Sequence, residues 1–294
     1  MSNNIIDGKA IADRIKKEIA AEVAALLDAD KKAPHLAAIL VGNDPASETY
    51  IASKERACKQ VGITSTTYRL AETTTENELL KVIDFLNKDE DVDGFIVQLP
   101  LPSHLNADHI LEFVDPSKDV DGFHPLNIGK MQLGLPCFLP ATPYGVMELI
   151  KRSGISLDGK HCVVIGRSNI VGTPLSILLS RKAANGNATV TLCHSRTQNL
   201  ESIIQQADVV IAAIGQPNFV KASMVKQGAV VIDVGIHRIE DTKSEKGYHI
   251  VGDVDFKEVK KIASKITPVP GGVGPMTIVA LLQNTLTALK KRSL

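Results

Sequence analysis

Tyr50 and Lys54 stand four residues apart in Thr49-Tyr50-Ile51-Ala52-Ser53-Lys54-Glu55, inside a run from Ser47 to Val61 whose pattern predicts a helix. Side chains at i and i+4 share one helical face. A phenol beside an amine can exclude water, hold a flat ligand and move the amine's protonation toward neutral pH. Taken alone, the pair reads more readily as an ordinary solvated helix face. Gln98 ends the apolar run of Asp93-Gly94-Phe95-Ile96-Val97-Gln98-Leu99-Pro100-Leu101-Pro102. An amide there needs a partner, because burying it unpaired costs up to several kcal/mol; its other reading is a cap on nearby backbone. Asp121 follows Asp119 in Lys118-Asp119-Val120-Asp121-Gly122-Phe123. Two carboxylates at that spacing could suggest a metal, but no histidine or further acid cluster supports one, so no metal is expected. His124 nearby reads as structural. Pro270 and Gly271 lie in Pro268-Val269-Pro270-Gly271-Gly272-Val273-Gly274-Pro275, too rich in glycine and proline for a helix or a central strand. That stretch is either a hinge or a wall that lets backbone approach a flat substrate closely.

These residues need a scaffold, and the pattern supplies alternating strands and helices. Ile11, Ile15, Ile19, Val23 and Leu26 place a helix over Gly8–Leu27. Strands are predicted at His35–Val41, Thr64–Leu70 and Gly94–Val97, and helices at Ser47–Val61 and Glu76–Asn87, the latter capped by Thr75. The second half predicts strands at His161–Ile165, Ala188–Cys193, Asp208–Ala213 and Ala229–Val234, then a last helix over Met276–Lys291. Such alternation implies βαβ units and mostly parallel sheets. One boundary is expected near Pro140–Pro143 and another in the loop Pro268–Pro275.

The turn Gly166-Arg167-Ser168-Asn169-Ile170-Val171-Gly172-Thr173-Pro174 follows a predicted strand and precedes a helix. A dinucleotide fold needs glycines there, so that backbone can reach a pyrophosphate at a helix N-terminus. The turn departs from G-x-G-x-x-G: Ser168 replaces the second glycine, and the third is displaced by one, to Gly172. The end of the next strand reads His194-Ser195-Arg196-Thr197, with no carboxylate for a ribose 2′-hydroxyl. A hydroxyl beside a guanidinium suits a 2′-phosphate, with Arg167 as a second cation, so NADP is the expected cofactor; the other reading makes Ser195 and Arg196 ordinary loop residues. Gly215 and Ile236 follow two further strands where backbone would face a ligand. With Thr277, at the start of the last helix, they complete the candidate cofactor set of Gly166, Arg167, Ser168, Ser195, Arg196, Gly215, Ile236 and Thr277.

The 294 residues suffice for two domains, and 44% are apolar. Lys+Arg and Asp+Glu are both 33, aromatics are 4% and tryptophan is absent. Nucleic-acid binding, which needs a basic stripe or stacking platforms, is therefore not expected. Cys58, Cys137, Cys162 and Cys193 are scattered and read as reduced thiols. No run approaches membrane-spanning length and the N-terminus carries no leader pattern, so a soluble cytoplasmic protein without membrane partners is expected.

The four quoted segments at 93–102, 118–123, 166–174 and 268–275, with the Tyr50/Lys54 pair, closely resemble the bifunctional methylenetetrahydrofolate dehydrogenase/methenyltetrahydrofolate cyclohydrolase family, from Ala46 to the final helix. The resemblance implies two α/β domains flanking a cleft, the C-terminal one Rossmann-like, with the last helix returning to the N-terminal domain. Residues 1–142 plus 275–294 would form the folate-binding catalytic domain and 143–274 the NADP-binding domain. It implies NADP-dependent oxidation of 5,10-methylenetetrahydrofolate to the methenyl form and hydrolysis of that to 10-formyltetrahydrofolate, in a homodimer acting on tetrahydrofolate one-carbon derivatives. Lys54 would drive the hydrolysis, Gln98 would tune Lys54, Tyr50 would stack on the folate, and Asp121 would bind the pterin ring, with Pro270 and Gly271 on the substrate side. A carboxylate suits Asp121's role because it can accept paired hydrogen bonds from a 2-amino-pyrimidinone edge. The rivals are a dehydrogenase lacking the hydrolytic step, against which Lys54 and Gln98 argue; a shikimate- or malic-type dehydrogenase; and a nucleotide-sensing protein without turnover.

Overall fold

The computed structural model describes residues 4–241 and 247–292. The chain forms two compact units, one of Asp13–Ala141 with Ile278–Leu294 and one of Met1–Ala12 with Thr142–Thr277. The helices α1 (Gly8–Asp28) and α10 (Val273–Arg292), at the two ends of the chain, each belong partly to one unit and partly to the other.

The first unit is built on β1 (His35–Val41), β2 (Thr64–Leu70) and β3 (Gly94–Val97), parallel in the order β2-β1-β3. Strands β1 and β3 are almost wholly buried, as continuous apolar runs in a parallel sheet must be. Between them run α2 (Pro45–Val61) and α3 (Glu76–Lys88), followed by the short α4 (Ala107–Glu112) and by α5 (Pro125–Leu133). Helix α2 starts two residues before the sequence expectation, because Asp44 accepts Ser47 N–H at 2.8 Å as N-cap and Pro45 occupies the first turn. Thr75 caps α3 in a reciprocal capping box with Glu78. Ile39, Phe95 and Val97 from the sheet pack with Leu79, Ile83 and Leu86 of α3.

The second unit begins with α6 (Ala141–Arg152) and carries β4 (His161–Ile165), α7 (Gly172–Ser180), β5 (Thr189–Cys193), α8 (Leu200–Ile204), β6 (Val209–Ala212) and β7 (Val230–Asp233). An antiparallel hairpin follows, β8 (His237–Glu240) with β9 (Tyr248–Val251), then α9 (Phe256–Val259) and β10 (Lys265–Ile266). Strand order in the main sheet is β10-β7-β6-β4-β5, all parallel. That is the doubly wound arrangement in which the first strand has its successors on both sides. The direction of winding therefore switches between β4 and β6. The hairpin and β10 carry no apolar run long enough to announce them in the sequence.

Several element bounds differ from the sequence expectation by a residue or two, and two differences bear on the units. The segment ending at Ala12 groups with the second unit, because Ile5 bridges Ile266 in parallel and Ile6 N–H donates to Ile266 O at 2.8 Å. The last helix begins at Val273, inside the stretch read as loop to Pro275. Pro275 falls in its first turn, where a missing N–H leaves nothing unsatisfied. From Ile278 onward the helix belongs to the first unit. No helix among the described residues is long and apolar enough to cross a membrane. Cys58, Cys162 and Cys193 are buried, and none of the four cysteines is in a disulfide.

Candidate functional site

Lys54 and Gln98 meet at the carboxyl ends of β1 and β3. Helix α2 leaves the end of β1 and carries Tyr50 and Lys54 on one face. Gln98 follows β3, its own N–H fixed on Ile39 O at 2.9 Å. Lys54 Nζ donates to Gln98 Oε1 at 3.1 Å, and Gln98 Nε2 donates to Leu99 O at 2.6 Å. Both side chains are only 9% exposed. The amide is thus anchored on backbone and turns its acceptor to the amine. Burial holds Lys54 below its ordinary range, while Asp121 and Cys58 pull it back up. Burial likewise raises the half-buried Asp121 above the ordinary carboxylate range, against the pull of Lys54. Desolvation thus presses the amine and the carboxyl alike toward their neutral forms. Tyr50 is half-buried, and burial raises its phenol.

The Asp121 loop is held by its neighbour. Asp119 accepts N–H from Gly122, Phe123 and His124 and from Asn127 Nδ2, at 2.8–3.1 Å. Burial raises Asp119 to about 6 against those donors. Its oxygens are saturated by protein, so it serves as a loop anchor. His124 caps α5, its Nδ1 accepting Leu126 N–H at 3.0 Å. Gly122 is left-handed at φ 75°, and a Cβ there would meet Leu139 O at 2.6 Å.

In the second unit the expected cofactor residues follow the carboxyl ends of β4, β5, β6 and β7, with Thr277 in α10. Gly166 follows β4 with φ 122°, and a Cβ there would lie 2.0 Å from Ala213 O, just past β6. A Cβ at Gly172 would lie 1.8 Å from Gly166 O, so the turn closes on itself only with hydrogen at both positions. Ser168, at the second-glycine position, accepts Val171 N–H with its hydroxyl at 3.2 Å and Thr173 N–H with its carbonyl at 3.1 Å. The departure from the glycine pattern thus puts a hydroxyl on the Val171 N–H, just before α7, where another turn would use bare backbone. Gly215 follows β6 with φ 78°, and a Cβ there would touch nothing within 4 Å, which leaves room for close approach. Arg167, Ser195 and Arg196 are exposed, and among the described residues no ion pair engages either guanidinium. The turn after β5 is tight: His194 Nδ1 accepts Arg196 N–H at 3.1 Å and Thr197 Oγ1 accepts His194 N–H at 2.9 Å. Ile236 is 50% exposed beside Gly235, an apolar surface suited to a flat ring. Thr277 shares a hydroxyl–hydroxyl bond of 3.1 Å with Thr142. Pro270 and Gly271 lie in this unit, where Gly271 O accepts Lys9 N–H at 2.9 Å.

This donor set fits an NADP molecule: a helix N-terminus and glycine turn for a pyrophosphate, unpaired guanidiniums for a 2′-phosphate, and no carboxylate at the end of β5 to repel it. Sequence reasoning passed over Asp233 and Asp253, which hold the loops after β6 and β7. Apart from Gly235 N–H on Asp233, their donors lie 16 to 39 residues away in the chain, and no local pattern marks them.

A doubly wound parallel sheet with glycine-bearing strand ends at its switch point, in one chain with an α/β unit that holds a buried amine against an amide, defines a nucleotide-dependent enzyme of two α/β units. Residues 6–121 match the catalytic domain, and residues 140–293 the NAD(P)-binding domain, of tetrahydrofolate dehydrogenase/cyclohydrolase. The chain belongs to that family. It is 57% identical to the bifunctional protein FolD of Bacteroides fragilis, over 98% of this chain and 98% of that protein. The crystal structure of the bifunctional FolD methylenetetrahydrofolate dehydrogenase/cyclohydrolase of Campylobacter jejuni superposes with a TM-score of 0.92 at 50% identity, covering 98% of this chain and 99% of the other. The Trypanosoma brucei enzyme, solved with NADP cofactor and inhibitor, gives a TM-score of 0.93 at 39% identity over 98% of each chain.

Proposed function

We propose that this chain catalyses both steps of its family, NADP-dependent oxidation of 5,10-methylenetetrahydrofolate and hydrolysis of the methenyl product to 10-formyltetrahydrofolate. The observation that carries the reading is the buried Lys54–Gln98 hydrogen bond with Asp121 within electrostatic reach. A nucleotide-binding sheet alone would fit any dehydrogenase; a desolvated amine held by an anchored amide is what hydrolysis of a cationic methenyl bridge needs.

The chemistry assigns the residues as follows. Asp121 accepts from the pterin's amino-pyrimidinone edge, and Tyr50 lies along the ring. The Pro270–Gly271 backbone forms part of the substrate's surroundings. When bound, NADP supplies the acceptor for the hydride that leaves the one-carbon bridge. The resulting methenyl carbon is cationic and open to water. Lys54, its charged form disfavoured by desolvation, takes a proton as water adds and returns it to the folate nitrogen that leaves as the bridge opens, while the adduct's hydroxyl releases its proton to solvent as the formyl C=O forms. Gln98 fixes the Lys54 amine through Oε1 and leaves its remaining positions to water and substrate. Arg167, Ser195 and Arg196 meet the 2′-phosphate. Ser168 and the turn from Gly166 cradle the pyrophosphate, and Gly215, Ile236 and Thr277 border the rest of the cofactor. Family membership also supports a homodimer in the cytoplasm, which light scattering and fractionation test.

An absorbance assay with methylenetetrahydrofolate decides the reading. With NADP, reduced cofactor should accumulate and the methenyl intermediate should rise and then decay; with NAD the first phase should be much weaker. Reduced cofactor without methenyl decay would make the chain a dehydrogenase only, and no reaction with either cofactor would sink the proposal.

A further inference from the structure

Two of the loops assigned to the cofactor, those after β6 and β7, rest on one pair of buried carboxylates. Asp253, wholly buried, follows the hairpin strand β9 and lies beneath the ends of β6 and β7. Its Oδ2 accepts N–H from Ile214 at 2.6 Å and from Gly215 at 3.1 Å. Its Oδ1 accepts N–H from Gln216 at 3.0 Å and from His237 Nε2 at 2.7 Å. Asp233, 2% exposed at the end of β7, accepts N–H from Gly235 at 3.0 Å, Asp253 at 2.9 Å and Val254 at 2.9 Å. The packing tolerates no side chain between them: a Cβ at Gly235 would lie 2.3 Å from Asp253 Oδ1, and one at Gly252 would lie 1.9 Å from Asp233 Oδ2.

Three successive backbone N–H groups aimed at one point form an anion nest. At a strand end beside the switch point, such a nest would ordinarily be available to a ligand phosphate. Here Asp253 fills it. The loop 214–216 therefore turns its backbone donors inward and offers a ligand its carbonyls, the bare Cα of Gly215 and the exposed Gln216 side chain. Phosphate charge is left to the turn from Gly166 to Gly172 and to the cations Arg167 and Arg196. The same carboxylate ties His237, the residue after Ile236, so the exposed apolar side chain of Ile236 is held between Gly235 on Asp233 and His237 on Asp253.

We propose that Asp253 is a positioning residue of the cofactor site, its carboxylate, seated by Asp233, setting the loops 214–216 and 235–237 at the spacing the cofactor requires. The inference rests on the NADP reading above. Replacing one oxygen with an amide turns a donor toward donors, so Asp253→Asn should open both loops at once.

The test is NADPH binding by fluorescence titration, without folate, on the full-length protein, beside thermal unfolding and affinity for a folate ligand. Asp253→Asn should weaken NADPH at least tenfold and raise KM for NADP more than it lowers kcat, with folate affinity unchanged. His237→Leu should weaken NADPH about threefold, and His237→Gln, which keeps a donor for Asp253, should restore most of it. That restoration is not expected of a residue serving stability alone. Folded variants that bind NADPH as the wild type does would overturn the proposal. If Asp253→Asn fails to fold, the His237 pair decides: equal affinity in Leu, Gln and wild type overturns it. Wild type that binds no NADPH fails the cofactor reading itself and takes this inference with it, an outcome distinct from tight wild-type binding with indifferent variants.

Discussion

Lys54 shows what burial does to one side chain. An amine with an ordinary value of 10.5 is too basic to accept protons near neutrality, and desolvation lowers it while Asp121 limits the fall. The neutral fraction grows as pH rises, so cyclohydrolase rate should climb with pH through the lowered Lys54 value, below the range of a free lysine. Lys54→Met and Lys54→Gln should abolish hydrolysis while NADP binding survives, and Lys54→Arg, which stays charged, should be as inactive; wild-type hydrolysis by any of them removes the assignment. The stability sign follows. A lysine whose folded value is lowered binds fewer protons folded than unfolded, so its penalty is greatest at low pH and eases as pH rises toward the unfolded value. Lys54→Met should flatten that slope in urea unfolding. Ser195 and Arg196 carry a second prediction. Charge-assisted hydrogen bonds contribute about 1.5–3 kcal/mol, so replacing both with alanine should cut discrimination between NADP and NAD by about tenfold or more. The effect should shrink at high salt; equal losses for both cofactors would mean the loop only supports the fold. At this scale the sequence was readable where spacing is local. Tyr50 and Lys54 share a helical face by arithmetic, and Gln98 stands out as an amide at the end of an apolar strand. Asp253 was not readable, because the amides that give it meaning lie at Ile214, Gly215 and Gln216.

Strands and helices were legible wherever an apolar run or a cap announced them. His35–Val41, Thr64–Leu70, Gly94–Val97 and His161–Ile165 fall where the pattern places them, and Thr75 caps α3 as its residue type predicts. The hairpin β8–β9 was invisible: its residues alternate between half-buried and exposed, with Arg238 stacked 3.8 Å over Tyr248 in place of an apolar core. The strand–turn–helix from β4 to α7 was legible by context although its glycines depart from the usual spacing, and the structure supplies the reason. Gly166 and Gly172 serve backbone-to-backbone closure, and the Ser168 hydroxyl takes up the Val171 N–H inside the turn. Gly172→Ala therefore drives a methyl group into the Gly166 carbonyl, which is backbone and cannot rotate aside. The turn must open, at about 1–3 kcal/mol of overpacking, and the pyrophosphate site opens with it. Calorimetric titration should show NADP affinity reduced at least tenfold with a lowered melting temperature. An alanine variant that binds NADP normally would place the pyrophosphate away from this turn.

At the scale of the whole chain, the question is why residues near its end belong with the first unit. Periodicity could mark Met276–Lys291 as a helix but not say where it packs; that expectation came from the family resemblance. Besides its buried apolar side chains, such as Leu282 and Leu286, one amide ties the helix there. Asn284, 4% exposed on α10, donates through Nδ2 to Val120 O at 2.8 Å and to Leu139 O at 3.0 Å. Those carbonyls flank the Asp121 loop: Val120 precedes Asp121, and Ala141, just beyond Leu139, donates its N–H to Asp121 O at 3.1 Å. The last helix thus clamps the two segments that hold Asp121, from a position 164 residues away in sequence. Asn284→Ala removes both donors and leaves two backbone carbonyls short of a partner in a dry setting, where each costs about 1–3 kcal/mol. Unfolding free energy should fall by roughly 2–4 kcal/mol, since some relaxation or water entry offsets part of the sum. Folate affinity should fall with it, because Asp121 loses the scaffold that aims its carboxyl. NADP affinity should hold, because Thr142–Thr277 keeps its own sheet and its own core. Denaturant unfolding read beside separate folate and NADP titrations tests this: parallel loss of both ligands would mean that α10 supports the two units as one, and unchanged folate affinity would free Asp121 from any dependence on Asn284.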